Sequence, residues 1–179
     1  MPRLKKSSKL PASRFTKKHC KGKKLSADIK ILKSDANDLP EILELQRLSF
    51  AENAIRYNDQ NIPPLRQTLD ELIEEAKSHI ILKAVDGAKI VGSVRGCRKP
   101  DHCYIGRLIV HPDYQNQGIG RRLMAAMENE LGGSAFELTA GHLDDKNISL
   151  YGKLGYKAYG TEKISDNLSL IKMRKVQSN

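Results

Sequence analysis

The sequence predicts a mixed α/β fold, with about seven strands in one sheet and about four helices around it. Two observations support this prediction: seven short stretches have the apolar runs or the alternation of strands, and four other stretches carry helix signals. A third observation concerns their order. Three strand candidates follow one another between residues 80 and 110, and a helix follows only after the third.

The folded region is expected to begin near Ala27, and Ile29 and Ile31 alternate with Lys30 as in a first strand. Asn37 or Asp38 can cap a first helix. Residues 51–66 are polar, and two prolines at 63 and 64 predict extended backbone there. A capping box at 68–71 then starts a second helix, whose apolar residues recur at helical spacing.

The second half alternates strands and helices. Strands over 80–85 and 90–95 flank Asp86-Gly87, which is a hairpin signal. A third helix is predicted over 119–131 because every fourth residue from Ile119 is apolar, and Glu128 is expected to face away from that stripe. The remaining elements are a fourth strand at 104–110, a fifth at 136–140, a fourth helix at 147–154 and closing strands near 157–161 and 168–173.

Residues 115–120, with the sequence Gln-Asn-Gln-Gly-Ile-Gly, are the most informative stretch because they join a strand to a helix. Such a junction leaves several backbone N–H groups without intrahelical partners, and the helix dipole adds partial positive charge there. It is therefore suited to bind an anion, above all phosphate. Gly118 and Gly120 would let the anion approach the backbone and would free the φ angle. The loop predicts a phosphorylated cofactor.

Two common types of phosphate-binding loop can be excluded, which narrows the choice of cofactor. The loop lacks the third glycine of a dinucleotide-binding loop and the Gly-Lys-Ser/Thr of a Walker A loop. The pattern Gln115-x-x-Gly118-x-Gly120 instead resembles the acetyl-CoA loop of the GNAT N-acetyltransferase superfamily, and residues 108–114 resemble its lead-in. A second block at 147–156, NISLYGKLGY, resembles a helix of the same family. The resemblance covers roughly residues 27–175.

The resemblance implies a mostly antiparallel sheet of about seven strands, about four flanking helices, and a V-shaped splay between strands 4 and 5. It also implies direct transfer of an acetyl group from acetyl-CoA, as co-substrate, to a primary amine, without a metal. The cofactor-binding residues that it implies are Leu108, Ile109, Val110, Gln115, Asn116, Gln117, Gly118, Ile119, Gly120, Arg121, Asn147 and Tyr151. The backbone N–H of Val110 is the expected donor to the thioester carbonyl.

Three residues are candidates for catalysis. By resemblance, Tyr151 protonates the departing thiolate, because a phenol with a pKa near 10 stays protonated until it is needed; the alternative is a core aromatic residue. The sequence identifies the general base less clearly, because the strand before the loop has Gly106 and Arg107 where many relatives have a carboxylate. His142 and Glu137 are the substitutes.

Two arginines leave alternatives open. Arg95 and Arg107 lie on neighbouring predicted strands, and a guanidinium group binds a carboxylate through two parallel hydrogen bonds. They could therefore recognise an acidic group on the acceptor, or they could form ion pairs at the surface or between strands. The acceptor itself stays open among small amines, amino acids and protein amines, as does the preferred acyl length.

The positive charge of the chain is concentrated at one end. The formal net charge is +10, and residues 1–24 contain ten basic and no acidic side chains, so the remainder is balanced. We expect residues 1–24 to be a disordered basic tail and residues 25–179 to be an acetyl-CoA-binding N-acetyltransferase domain. Such a basic tail predicts contact with nucleic acid or with an acidic surface. The alternatives are a solvated extension of the chain or a start site that was assigned too far upstream.

Other function classes follow from these features. The chain could be a nucleic-acid- or ribosome-associated module anchored by its tail, or a catalytically silent acyl-CoA sensor.

No apolar run is long enough for a membrane span, so a cytoplasmic protein is expected, and a homodimer is compatible with the family. Cys20, Cys97 and Cys103 form no metal or disulfide pattern, and the last two, which flank a predicted hairpin turn, could face each other.

Overall fold

A computed structural model describes residues 29–177, which form one seven-stranded sheet with helices on both faces. The strands are β1 (Lys30–Lys33), β2 (Ile80–Asp86), β3 (Lys89–Arg98), β4 (Cys103–Val110), β5 (Ala135–Gly141), β6 (Lys157–Lys163) and β7 (Ser169–Val176). The helices are α1 (Leu39–Arg56), α2 (Pro63–Arg66), α3 (Leu69–Ala76), α4 (Ile119–Leu131) and α5 (Asp145–Lys153). The predicted basic tail, residues 1–24, lies outside the described residues.

The sheet has the strand order β1-β2-β3-β4-β5-β7-β6, and every neighbouring pair is antiparallel except β4 and β5. These two strands pair only at Cys103–Phe136 and Tyr104–Glu137. Beyond Tyr104, the described part of β4 has no ladder partner in β5, so the strands separate toward the end of β4. This confirms the mixed α/β fold, and the gap matches the predicted splay.

Two apolar layers hold the sheet between the helices. On one face, α4 and α5 bury a cluster that includes Leu123, Met127 and Phe136. On the other face, α1 and α3 bury a second cluster around Ile42 and Leu72. The capping box predicted at 68–71 is present, since the Thr68 hydroxyl accepts from the Glu71 N–H and the Glu71 carboxylate accepts from the Thr68 N–H. No helix within residues 29–177 combines the length and apolar character needed to cross a membrane.

The structure corrects the prediction for residues 51–66. Helix α1 continues to Arg56, and the two prolines start the short helix α2 instead of extending the chain. Proline fits the first turn of a helix, because its fixed φ is helical and its missing N–H is not needed there. Ile62, which precedes Pro63, has the extended conformation that a following proline imposes.

Glu128 was predicted to face away from the apolar stripe, and that is wrong. Its side chain is buried between α4 and β7, where it accepts a hydrogen bond of 2.9 Å from the Tyr156 hydroxyl. Lys175 Nζ lies 2.7 Å from its other carboxylate oxygen. A carboxylate tolerates burial when a cation and a hydrogen-bond donor compensate for the lost water.

The two described cysteines do not face each other. Cys97 pairs with Tyr104 and Cys103 pairs with Arg98, so they are one position out of register. Because directly paired residues share a face, this offset puts the two side chains on opposite faces of the sheet. Both are buried, free thiols.

Candidate active site

The glycine loop ends in a helix N-terminus that has no side-chain cap. Gly118 is the N-cap residue and has φ = 80° and ψ = 1°, a left-handed conformation that favours glycine. The first intrahelical hydrogen bond runs from the Arg122 N–H to the Gly118 carbonyl, at 3.1 Å. The N–H groups of residues 119–121 precede that bond, so they are available to an anion at the positive end of the helix dipole.

The two glycines of the loop have different roles. A Cβ atom at Gly118 would meet nothing within 4 Å, so open space lies in front of this residue. A Cβ atom at Gly120 would lie 3.5 Å from Leu150 and 3.7 Å from Leu108, which is ordinary contact distance. Gly120 therefore marks the close approach of α4 to β4 and α5, whereas Gly118 supplies the backbone conformation.

A cleft of about 320 Å³ opens at this helix end. Its walls come from the second half of α1, the end of β4, the glycine loop with the start of α4, and α5. The cleft brings together most of the predicted cofactor residues, namely Leu108, Ile109, Val110, Gln115, Asn116, Gly118, Ile119, Gly120, Arg121 and Asn147. Gln117 and Tyr151 are not among its lining residues; the Gln117 side chain donates to the Asp113 carbonyl at 3.1 Å.

The backbone of Val110 faces the gap between β4 and β5. The next residue, His111, donates its N–H to the Val91 carbonyl on β3, at 2.9 Å. Since backbone polar groups alternate in direction along a strand, the N–H and carbonyl of Val110 point away from β3. Consistent with this, the Val110 carbonyl accepts a hydrogen bond of 3.2 Å from Gln115 Nε2, across the loop. The N–H of Val110 therefore has the orientation that an oxyanion donor requires.

Tyr151 lies on α5 beneath the cleft, with 6% of its surface exposed and its ring 6.1 Å from that of Tyr156. Burial raises its pKa well above the ordinary value, and the nearby Asp144 carboxylate and Tyr104 raise it further. The hydroxyl therefore stays protonated at neutral pH. The same shift makes it a weaker acid, so a proton donated from Tyr151 needs rapid replacement.

The two candidate bases lie outside the cleft-lining residues. His142 Nδ1 accepts a hydrogen bond of 3.1 Å from the Ser169 N–H, and its ring lies tilted against that of Tyr57, with the ring centroids 5.5 Å apart. Glu137 accepts a hydrogen bond of 2.8 Å from the Tyr159 hydroxyl and lies 3.4 Å from Arg174. Both side chains are therefore engaged in contacts within the fold: His142 with Ser169 on β7 and with Tyr57, and Glu137 with Tyr159 on β6 and Arg174 on β7. Their catalytic roles stay predictions.

The cleft also contains residues that sequence reasoning missed. Ser49, Asn53 and Arg56 line it from α1, and their spacing of i, i+4 and i+7 places them on one helix face. Arg56 Nη1 lies 3.7 Å from Asp144, which caps α5 by accepting from the Asn147 N–H. The signal was present as polar residues at helical spacing within 49–56, but the polar segment predicted over 51–66 was not recognised as part of a helix.

Positive side chains surround the rim of the cleft. Arg121 lies at the start of α4, and Lys146 and Lys153 lie on α5. None of the three has an ion-pair partner within residues 29–177. Their uncompensated charge favours an anionic ligand. No cluster of three potential metal ligands occurs in the same part of the chain.

Comparisons with known proteins agree with this geometry. Residues 49–177 match the family model described as "Acetyltransferase (GNAT) domain". Among curated proteins, no sequence matches this chain.

Similar solved structures show the same fold. The ribosomal-protein-S18-alanine N-acetyltransferase from Escherichia coli is 19% identical and aligns over 85% of this chain and 96% of its own, with a TM-score of 0.70. The PaiA N-acetyltransferase from Thermoplasma acidophilum, in complex with coenzyme A, is 20% identical over 84% and 99%, with a TM-score of 0.67. YncA from Salmonella typhimurium, with its cofactor acetyl-CoA, is 17% identical over 86% and 96%, with a TM-score of 0.65.

Proposed function

The chain belongs to the GNAT acetyltransferase family, and on that premise we propose that it transfers the acetyl group of acetyl-CoA directly to a primary amine. One observation carries this proposal. The uncapped N-terminus of α4 opens onto a cleft that reaches the gap between β4 and β5. A single groove with an anion site at one end and outward backbone donors at the other suits an extended, phosphorylated thioester. The ligands of PaiA and YncA support the same choice.

We infer that the backbone N–H groups of residues 119–121 hold the diphosphate. The open space in front of Gly118 lets the phosphates approach those groups, since no side chain intervenes. Arg121, Lys146 and Lys153 add positive potential at the rim. Asn147, whose amide donates to Asp144 Oδ2 at 2.8 Å, is held rigidly beside the path toward Val110.

Acetyl-CoA supplies an acetyl group that is activated as a thioester. The neutral amine nitrogen attacks the carbonyl carbon, the carbon–sulfur bond breaks, and the electron pair goes to sulfur. The Val110 N–H donates to the carbonyl oxygen as negative charge develops on it. Tyr151 gives its proton to the thiolate and regains one that the attacking nitrogen releases, so the products are an N-acetylated amine and the free thiol of coenzyme A.

We propose that the acceptor loses its ammonium proton to water before the attack, since the side chains of His142 and Glu137 are engaged in hydrogen bonds with Ser169 and Tyr159. In this case kcat/KM rises with pH until the pKa of the acceptor amine is passed, and His142→Ala retains the same profile. A profile that levels off well below the pKa of the acceptor amine, and that is lost in His142→Ala, contradicts this route.

A second candidate function is an acyl-CoA sensor without turnover, and the position of the two candidate bases outside the cleft favours it. One experiment separates the two. Acetyl-CoA is incubated with the protein and a panel of amines, and free thiol is measured beside calorimetric binding of acetyl-CoA. Thiol release that depends on an amine supports the transferase. Binding without release supports the sensor, and absence of both refutes the two together.

A further inference from the structure

Arg107 occupies an unusual backbone position in the middle of β4. Its φ is 51°, a left-handed conformation that an arginine adopts only under local constraint. The cause is a bulge, because the register between β3 and β4 slips between Ser93 and Arg95, so that Arg95 lies opposite Gly106. The slip sets Arg107 beside Arg95, one residue before the cleft-lining Leu108.

Arg95 is buried beneath this position, with 2% of its surface exposed. Its two terminal nitrogens donate to Gln46 at 2.6 Å, to Gln67 at 3.0 Å and to Glu75 at 2.7 Å, whereas its Nε has no partner. Burial lowers the pKa of Arg95 and Glu75 raises it, but the positive charge of Arg107 lowers it again. The charge of Arg107 therefore disfavours the charged form of Arg95.

The side chain of Arg107 has no hydrogen bond or ion pair within residues 29–177. Its Nε is buried and has no hydrogen-bond partner. Its two terminal nitrogens are not buried, and the residue as a whole is only partly buried. Glu75 is the one carboxylate that pairs with either arginine in that range, so two positive charges share one negative charge. A partly desolvated guanidinium of this kind gains most from an anion that reaches it from solvent.

The position also lies near the expected point of transfer. A strand advances about 3.3 Å per residue, so the Cα atoms of Arg107 and Val110 lie within about 10 Å of each other. Because the arginine side chain is long, its guanidinium group can lie closer to Val110 than the Cα atom does. On the same part of β4, the ring of Tyr104 covers Gly106, and its hydroxyl lies 3.3 Å from the Thr139 hydroxyl across the sheet. These hydroxyls add hydrogen-bonding capacity between β4 and β5.

We propose that Arg107 binds a carboxylate on the amine acceptor, so that the substrates are small amines that carry a carboxylate, such as amino acids. This inference rests on the proposed acetyl transfer. It selects among the acceptors that the family allows, since a protein N-terminus or a lysine side chain offers no carboxylate of its own at that point. Arg95 supports the site from below and does not contact the acceptor.

The test compares each amine with its carboxamide: glycine with glycinamide, and alanine with alaninamide. The release of free thiol from acetyl-CoA gives kcat/KM for each amine. Each value is divided by the fraction of that amine that is neutral at the assay pH, because only the neutral amine attacks. We expect the wild type to favour the carboxylate at least about tenfold, as one charge-assisted pair allows. Arg107→Gln should remove that preference while leaving acetyl-CoA binding unchanged. Arg47→Gln, which loses an exposed arginine paired with Glu44 at 2.6 Å, is the matched control and should keep it.

A binding experiment distinguishes a failure of this inference from a failure of the transferase proposal. Calorimetry measures N-acetylglycine and N-acetylglycinamide against the protein saturated with coenzyme A. If no amine is acetylated but N-acetylglycine alone binds, and Arg107→Gln abolishes this, the carboxylate site stands and the transferase proposal falls. Equal kcat/KM for carboxylates and carboxamides, an unchanged preference in Arg107→Gln, or neither turnover nor binding of N-acetylglycine overturns the inference.

Discussion

Replacement of Gly118 by valine tests the anion site, and Gly87 provides a matched control. Both glycines have left-handed backbone, with φ of 80° and 61°, and a Cβ atom at either would meet nothing within 4 Å. Only Gly118 lies in the cleft, whereas Gly87 lies in the turn between β2 and β3. The two substitutions therefore impose the same backbone strain but differ in what the new side chain obstructs.

The expected magnitudes follow from these positions. A non-glycine residue in left-handed conformation costs about 1–2 kcal/mol, so each variant should lose about 2–8 °C in Tm. At Gly118 the isopropyl group also occupies the space in front of the helix N-terminus. Loss of two charge-assisted hydrogen bonds to phosphate amounts to about 3 kcal/mol or more, which weakens acetyl-CoA binding by about 100-fold or more.

Isothermal titration calorimetry with acetyl-CoA measures the binding effect, and thermal unfolding measures the strain. Gly87→Val should lose stability but keep wild-type affinity. Wild-type affinity in Gly118→Val would refute the assignment of the anion site. An equal loss of affinity in both variants would show that strain, and not obstruction, caused it.

Three further predictions concern tyrosines and a second glycine. Tyr151→Phe should lower kcat with little change in acetyl-CoA affinity, and an unchanged kcat would exclude the tyrosine as proton donor. Burial and Glu128 raise the pKa of Tyr156, so native stability should fall as pH rises above about 10, the range in which unfolded tyrosine ionises; urea titrations should show a shallower fall in Tyr156→Phe. Gly141→Ala should lower the Tm, because its Cβ would overlap the Tyr57 side chain and overpacking costs about 1–3 kcal/mol, whereas Gly152→Ala, with open space around it, should not.

Features fixed by local chemistry were predictable from the sequence. The capping box at Thr68, the helix that ends at Gly132, and the junction at Gly118 depend on residues that lie within a few positions of one another. Most strands were found for the same reason, since they have apolar patterns of their own, whereas β6 is exposed along almost its whole length. The anion site belongs to this group, because a helix N-terminus needs no distant partner to attract a phosphate.

Features fixed by distant partners were not predictable. Glu128 is buried because it meets Lys175, which lies 47 residues further along the chain. The bulge at Arg107 depends on the register between two strands, and that register also separates Cys97 from Cys103. A one-residue slip in pairing moves side chains to the other face, and no local pattern specifies where such a slip occurs.

The central claim is that the backbone at the start of α4 holds the diphosphate of acetyl-CoA. The most direct measurement is a crystal structure of the protein grown with acetyl-CoA. We predict diphosphate oxygens about 2.7–3.2 Å from the N–H groups of residues 119–121, with the thioester in the gap between β4 and β5. A diphosphate bound elsewhere, with the helix N-terminus facing only water, would contradict the claim.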